Sequence, residues 1–250
     1  MPSFFDELRK MVKSPLLEKY FEPDSTVETM PLERLQAFQL EALKTVVTRA
    51  YRRSPFYRSK MEAAHVEPED IRTLEDVSKL PFTDKDELRQ DPWITLACFK
   101  DEIALVHVAT GTTGGKEIYV PWTWRDFYLN ELSPGLPHLV DVKPGDICLN
   151  ALPYEMSSSG LAFHKVFMSG CKATVIPAGK AGAYSTPEKT VRVMQDLQPT
   201  IVMTTPSYSM QLAEAAEAIG FDLKSLPLRR MWLTGEGCSF AFRDRVEKIW

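Results

Sequence analysis

The sequence is poor in cysteine, has no excess of positive charge and contains no long apolar run. Its four cysteines are widely separated and form no C-x-x-C pair, which argues against a disulfide framework or a zinc knuckle. A formal net charge of −4 gives no general attraction to nucleic acid or anionic lipid. No apolar segment approaches the roughly 20 residues that cross a bilayer. We therefore expect a cytoplasmic protein with no membrane and no nucleic-acid partner.

The composition is that of an ordinary globular protein. Hydrophobic residues make up 44% of the chain and charged residues 26%, which is far from the mixture of a disordered chain. Residues 1–100 are charged, helical in pattern and interrupted by prolines. The segment from Leu32 to Arg52 has apolar side chains at helical spacing, which predicts a helix with one side packed against a core.

After residue 100 the chain changes to short apolar runs separated by amphipathic stretches. These runs predict six strands: Ile103–Ala109, Ile118–Val120, Asp146–Asn150, Lys172–Ile176, Thr200–Met203 and Met231–Leu233. Helical patterns lie between most of the later strands, so an α/β layered sheet is predicted. Thr186-Pro187 and Thr205-Pro206 are typical helix starts, with threonine as the N-cap and proline in the first turn. The second start follows a strand directly, where open α/β sheets usually bind ligands.

The most informative segment is rich in glycine and threonine. It consists of Thr110, Gly111, Thr112, Thr113, Gly114, Gly115 and Lys116. Glycines let the backbone turn its N–H groups toward one anion, and the threonine hydroxyls are further donors, so the segment is suited to cradle a phosphate. A Walker A motif is excluded, because its spacing would require glycine in place of Thr110 and serine or threonine in place of Glu117. A polar hairpin turn remains an alternative for this segment alone.

The segment Thr110–Gly114 resembles the phosphate-binding loop of adenylate-forming enzymes, the superfamily of acyl-CoA ligases, luciferases and peptide-synthetase adenylation domains. Four further segments resemble phenylacetate-CoA ligases and lie in the order of that family: Arg49–Tyr57, Leu80–Lys85, Val175–Gly179 and Thr204–Tyr208. Separated matches in one order are far more specific than a glycine loop alone. In one departure, Gly115 stands where that family's loop has lysine, and Lys116 stands where it has proline.

The resemblance implies a fold, a reaction and a set of cofactors. The implied fold is α/β, the N-terminal large-domain portion of an adenylate-forming enzyme. Residues 1–100 would be a helical lead-in, residues 101–250 an incomplete nucleotide- and acyl-binding core, and the C-terminal domain would be absent. In the implied reaction an aromatic carboxylate attacks the α-phosphate of ATP, with Mg²⁺, and the thiol of coenzyme A then displaces AMP from the acyl-adenylate. The identity of the acid and the existence of a homodimer stay open.

The resemblance also assigns residues to parts of a site. It implies phosphate contacts for Thr110, Gly111, Thr112, Thr113, Gly114 and Lys116, adenine contacts for Gly235 and Glu236, and acyl contacts for Tyr154, Ser158, Gly160 and Pro206. It assigns no covalent catalyst and no metal ligand in this chain. The acyl and adenine segments have a simpler interpretation as loops, with Ser159 and Ser239 as caps of the following helices. His164 is either a packed core residue or part of the site.

The Tyr-Gly-x-Thr-Glu segment of the family does not occur in the sequence. The resemblance places that segment, a ribose-binding aspartate and a C-terminal domain with a catalytic lysine beyond the position equivalent to Trp250. We therefore expect a fragment that is inactive alone. Two other classes stay open, a non-catalytic nucleotide-binding or regulatory module and a ligase that joins AMP to a deazaflavin cofactor.

Overall fold

A computed structural model describes residues 30–109, 116–131 and 141–250. The chain divides into two compact units, one ending at Leu129 and the other beginning at Asn130. The first unit contains helices and a two-stranded hairpin, and the second contains a four-stranded sheet with helices. No helix in the described part of the chain is both long and apolar enough to cross a membrane.

The described part of the first unit begins with two helices, α1 (Leu32–Arg53) and α2 (Pro55–Ala63). They are separated by Ser54, whose φ of −104° and ψ of 114° are extended. The following proline disfavours the helical region for Ser54, so α1 ends there and α2 starts with proline in its first turn. The predicted first helix is therefore confirmed.

The buried cluster of the first unit is small. Val47 of α1 packs there with Met61, Val66 and Ile71. Val46, a further apolar residue of α1, is 64% exposed. The packed side of α1 is therefore narrower than the spacing of apolar residues indicated.

A hairpin completes the first unit. Short helical segments precede it at Pro68–Asp70, Glu75–Lys79, α3 (Lys85–Leu88) and Lys100–Glu102. Strands β1 (Ile103–Ala109) and β2 (Ile118–Thr123) pair antiparallel, and α4 (Trp124–Glu131) follows. Both predicted strands are confirmed, with β2 continuing past Val120. The hairpin lies in the first unit, whereas the sequence grouped it with residues 101–250; the assignment of functional domains stays a prediction.

The second unit is built on a parallel sheet. Its strands are β3 (Ile147–Asn150), β4 (Thr174–Pro177), β5 (Ile201–Thr204) and β6 (Arg230–Leu233), in the order β4-β3-β5-β6. All neighbours are parallel. Every residue of β5 is buried, as expected for a strand covered on both faces, which explains its continuous apolar run. The four predicted strands are confirmed to within two residues at each end.

Helices follow each strand of this sheet. They are α5 (Ser158–Lys165), which continues as a π-helical turn at Val166–Gly170, α6 (Pro187–Leu197), α7 (Pro206–Ala218) and α8 (Phe240–Ile249); a 3₁₀ turn lies at Leu223–Ser225. Residues of β3 and β5 alternate between the two faces of the sheet. Leu149 and Val202 pack with residues of α6 and α7 in one core cluster, whereas Cys148 and Ile201 pack with Phe167 in another. Burial of each large apolar side chain stabilises the unit by about 1.5–3 kcal/mol before entropy is counted.

The N-caps of these helices test four local predictions. Thr186, Thr205 and Ser239 accept backbone N–H groups of the first turns of α6, α7 and α8, as predicted. The predicted cap Ser159 is wrong, because α5 begins at Ser158 and the hydroxyl of Ser157 is the cap. Consecutive serines offer the same hydroxyl at each position, and the extended backbone at Ser157 decides which one is used.

Candidate functional site

The carboxyl ends of the four parallel strands lie at one edge of the sheet in the second unit. The segments that follow these strands contain the predicted site residues Tyr154, Ser158, Gly160, Pro206, Gly235 and Glu236. Ligands usually bind at this edge of an open α/β sheet, because helix N-termini are found there. The polar side chains of this edge form two groups, one around Glu236 and one around Tyr154.

Glu236 follows β6 and is bound at the start of α7. Its Oε2 accepts the backbone N–H of Ser207 at 2.9 Å, and its Oε1 accepts the hydroxyl of Ser207 at 2.8 Å. The ammonium of Lys180 lies 2.9 Å from the same Oε1. The positive end of the α7 dipole also favours a negative charge at this position. Lys180 and the N–H of Ser207 lower the pKa of Glu236 to about 2, so the side chain is a carboxylate at neutral pH.

A tight turn presents Glu236 to the start of α7. Gly235 has a φ of +81°, a conformation that side chains disfavour. The N–H of Thr234 donates to the carbonyl of Thr204 at 3.1 Å, which joins the turn to the end of β5. A Cβ added at Gly237 would meet no atom within 4 Å. The backbone is therefore open at Gly237, and the adenine contact of Gly235 and Glu236 stays a prediction.

The second group is centred on Asn150, the last residue of β3, which is fully buried. Its amide nitrogen donates to the carbonyl of Gly160 at 2.8 Å and to the phenolic oxygen of Tyr154 at 2.9 Å. Since a carbonyl can only accept, the first bond fixes the orientation of the amide. The phenolic oxygen of Tyr154 also lies 3.1 Å from Nδ1 of His164. Burial raises the pKa of Tyr154 to about 12, so its hydroxyl is neutral.

The other residues predicted for the acyl pocket have different surroundings. A Cβ added at Gly160 would lie 2.3 Å from the carbonyl oxygen of Pro153, and the N–H of Gly160 donates to that oxygen at 2.9 Å. Pro206 is buried in the first turn of α7, and Ser158 is exposed. Gly160 and Pro206 therefore have local packing roles, and contact with an acyl group stays a prediction for all of them.

The predicted phosphate loop lies outside the described residues, and its phosphate contacts stay a prediction. The loop residues concerned are Thr110, Gly111, Thr112, Thr113 and Gly114. Lys116 is described and exposed, and its carbonyl oxygen accepts a hydrogen bond from Nε of Arg89 at 3.0 Å. The predicted contact of its ammonium with phosphate likewise stays a prediction.

Sequence reasoning missed Lys180 and the bonding role of Asn150. An asparagine at the end of an apolar strand is a usable signal, because a buried amide must find partners. Lys180 gives no such signal, since an isolated lysine beside glycine is ordinary in a surface loop. Its contact with Glu236 joins residues that are 56 positions apart.

Curated phenylacetate-coenzyme A ligases are similar to the chain along most of its length. The enzyme of Thermus thermophilus is 35% identical over 227 residues, which are 89% of this chain and 49% of that ligase. The enzyme of Escherichia coli strain K12 is 34% identical over 226 residues, which are 89% of this chain and 50% of that ligase. The chain thus spans about half the length of the curated relatives it matches. A scan against protein-family models finds no match.

Solved structures of 2-hydroxyisobutyryl-CoA ligase have the same fold. The crystal structure of that ligase with 2-HIB-AMP and CoA in the thioesterification state matches with a TM-score of 0.81 at 25% identity, over 94% of this chain and 50% of that one. An open conformation with the same ligands matches with a TM-score of 0.79 at 23% identity, over 88% of this chain and 49% of that one. The predicted α/β fold is confirmed, and it is the fold of about half of this CoA ligase.

Proposed function

Since the chain is homologous to half of a phenylacetate-coenzyme A ligase, we propose that its protein is an ATP-dependent aryl-CoA ligase that releases AMP. An aromatic carboxylate is joined to the AMP part of ATP with loss of pyrophosphate, and the thiol of coenzyme A then displaces AMP. One observation carries the proposal. In a chain 35% identical to such a ligase, the described residues assigned to the acyl group and to adenine follow strands that end at one edge of a parallel sheet.

The turn at Gly235–Gly237 is the proposed surface for the adenine ring. Its backbone is open at Gly237, where a Cβ would meet nothing within 4 Å. The loop Thr110–Gly114 is the proposed source of N–H and hydroxyl donors for the phosphates, with Lys116 as an added charge. When bound, ATP with Mg²⁺ supplies the adenylyl group and coenzyme A supplies the thiol. The chain's part is to position the reactants and to stabilise developing negative charge, rather than to form a covalent bond.

The group around Tyr154 is the proposed wall for the aromatic acid. The rings of Tyr154 and His164 meet edge to face, with centroids 5.9 Å apart and an angle of 87°. Aromatic rings favour this geometry, and a further ring can pack against the same pair. Because Asn150 at the end of β3 donates to the phenolic oxygen, the orientation of the Tyr154 side chain is constrained without a bound acid.

The proposal is tested by AMP release from the complete gene product. The enzyme is incubated with ATP, Mg²⁺ and a panel of aryl acids, fatty acids, amino acids and a deazaflavin, with and without coenzyme A. We expect sustained AMP release only when an aryl acid and coenzyme A are both present. Release with the deazaflavin alone, or no release with any acid, would contradict the assignment.

We also propose that the 250 residues do not complete the reaction alone, because the ligases they match are about twice as long. The same assay on residues 1–250, beside the complete gene product, tests this expectation. Turnover at a comparable rate would show that this chain holds all required groups. Sedimentation of both preparations tests for the homodimer that the sequence leaves open. A cytoplasmic location stays a prediction.

A further inference from the structure

Lys180 and Glu236 join the two segments that follow the edge strands of the sheet, β4 and β6. Lys180 lies in the loop after β4, and Glu236 lies in the turn after β6. The strand order places β3 and β5 between these two strands, so β4 and β6 are three spacings, or about 14 Å, apart. The segments after β4 and β6 therefore meet at the carboxyl ends of the central strands, where 2.9 Å separates Nζ of Lys180 from Oε1 of Glu236. We call this contact the Lys180–Glu236 bridge.

Both ends of the bridge are anchored to the sheet. Beside Lys180, the N–H of Gly179 donates to the carbonyl of Asn150 at 3.1 Å, which ties the β4 loop to the end of β3. At the other end, the carboxylate of Glu236 accepts the N–H and the hydroxyl of Ser207. The side chains of Lys180 and Glu236 are only 28% and 33% exposed. A carboxylate with three donors, two from the first turn of α7 and one from the loop after β4, is held in position, and it constrains the backbone that carries it.

The bridge is not explained by stability alone. Ion pairs that remain in contact with water contribute little to the free energy of unfolding. The backbone that the bridge holds is the turn Gly235–Gly237, where Gly235 has a φ of +81° and Gly237 is open on one side. A turn with few side chains has few contacts of its own, so beyond the hydrogen bond from Thr234 to Thr204 its position depends on the groups that bind Glu236.

We propose that Lys180 and Ser207 are positioning residues for nucleotide binding, which hold the Gly235–Gly237 turn through the carboxylate of Glu236. The inference rests on the proposed function, because that function places the adenine ring against this turn. Without the ammonium of Lys180, the carboxylate keeps only Ser207, and the turn loses its link to the β4 loop. The adenine ring does not change during the reaction, so its contacts are equal in the ground state and the transition state. Their loss therefore raises the KM for ATP and leaves kcat nearly unchanged.

The test compares Lys180→Met, which keeps the length of the side chain without its charge, with Lys180→Arg, which restores a cation. Lys79→Met is the matched control, because Lys79 forms a 2.8 Å ion pair with Asp76 in the first unit. For the complete gene product we measure the KM for ATP, kcat for AMP release, the Kd for ATP by titration calorimetry, and the thermal midpoint. We expect KM and Kd to rise about tenfold in Lys180→Met, which equals about 1.4 kcal/mol, with kcat within about threefold. Arginine should restore Kd to within about threefold of the wild-type value.

The outcomes separate this inference from the proposed function. Unchanged KM and Kd in Lys180→Met would overturn the positioning role while the ligase assignment stands. Equal losses in Lys180→Met and Lys79→Met would also overturn it, because the effect would not be specific to the bridge. If the wild-type protein binds ATP but releases no AMP with any acid, the proposed function fails and the Kd series still decides the role of Lys180. Absence of ATP binding by the wild-type protein would overturn both.

Discussion

The phenolic oxygen of Tyr154 lies 3.1 Å from Nδ1 of His164. The amide of Asn150 already donates to the same oxygen, so the phenolic hydrogen is available to Nδ1. With the phenolic hydrogen donated to Nδ1, the proton of a neutral His164 lies on Nε2, whereas the other tautomer donates from Nδ1 to the phenolic oxygen. The tautomer decides which ring atom of His164 can donate toward a ligand.

Tyr154→Phe should destabilise the protein by about 1–3 kcal/mol, because one amide hydrogen of the fully buried Asn150 loses its acceptor. Chemical unfolding in urea measures this loss, and nitrogen chemical shifts of His164 report its tautomer in both proteins. Tyr184→Phe is the control, since that tyrosine is 82% exposed and keeps its ring. Equal unfolding free energies for wild type and Tyr154→Phe would show that the hydroxyl is not an obligatory partner of Asn150.

Gly160→Ala should destabilise the second unit by about 1–3 kcal/mol, in the range of an overpacked core. The new Cβ would lie 2.3 Å from the backbone oxygen of Pro153, which cannot rotate away. In an unstrained helix the same change would stabilise by about 0.5–1 kcal/mol, so even the sign of the effect is informative. Urea unfolding at one temperature measures it.

Gly237→Ala is the matched substitution for Gly160→Ala. Its Cβ would meet nothing within 4 Å, so we expect the unfolding free energy to change by less than about 0.5 kcal/mol. The same methyl group would lie in the space proposed for the adenine ring. The Kd for ATP should therefore rise while stability is kept, and an unchanged Kd would remove this turn from the nucleotide site.

Glu236 should link stability to pH. Its pKa falls from 4.5 to about 2 in the folded protein, mainly because of the hydrogen bond from Lys180. A depressed folded pKa means that the stabilisation is fully present above about 4.5 and is lost as the pH falls toward about 2. We expect the difference in unfolding free energy between wild type and Glu236→Gln to be constant near neutral pH and to shrink across that window.

Lys180→Met serves as the control for the pH experiment. It removes the largest cause of the lowered pKa of Glu236, so the loss of stability at acid pH should be smaller and should be complete at a higher pH than in the wild-type protein. A difference between wild type and Glu236→Gln that does not depend on pH would contradict the assigned contacts of Glu236.

Thr112→Val should reduce the rate of adenylation by about 100-fold or more, as is common when one donor to developing negative charge is removed. The measurement is ATP–pyrophosphate exchange by the complete gene product with its acid. Thr45→Val is the control, because the hydroxyl of Thr45 bonds only within α1, to the carbonyl of Glu41. Normal exchange in Thr112→Val would favour the alternative interpretation of this segment as an ordinary hairpin turn.

Local signals explain which elements the sequence predicts well. The strands of the second unit are short apolar runs bounded by turn residues, and the helix starts at Thr186 and Thr205 combine an N-cap with proline. Both patterns depend on neighbouring residues only. The prediction of the N-cap of α5 was wrong because three consecutive serines give the same local signal.

Contacts that depend on strand order could not be predicted from the sequence. β3 and β5 are neighbours although β4 lies between them along the chain, and β6 joins β5 on its far side. Only this order brings Lys180 over the sheet to Glu236. The family resemblance assigned residues to the site, and those assignments stay predictions, whereas the hydrogen bonds among them, such as that from Asn150 to Tyr154, required the structure.

The pairing of β3 with both β4 and β5 has a consequence for the synthesis of the chain. β3 and β4 leave the ribosome first and can pair at once. β5 pairs with β3 only after a much longer segment has been made, since Asp146 beside β3 and Thr200 beside β5, whose side chains form a hydrogen bond, are 54 positions apart. Closing so long a loop costs entropy before any contact is gained. Until Thr204 has emerged, one side of β3 therefore presents unpaired backbone groups that attract other strands. A nascent chain halted in α6 would be a substrate for chaperones, and it would aggregate where they are scarce.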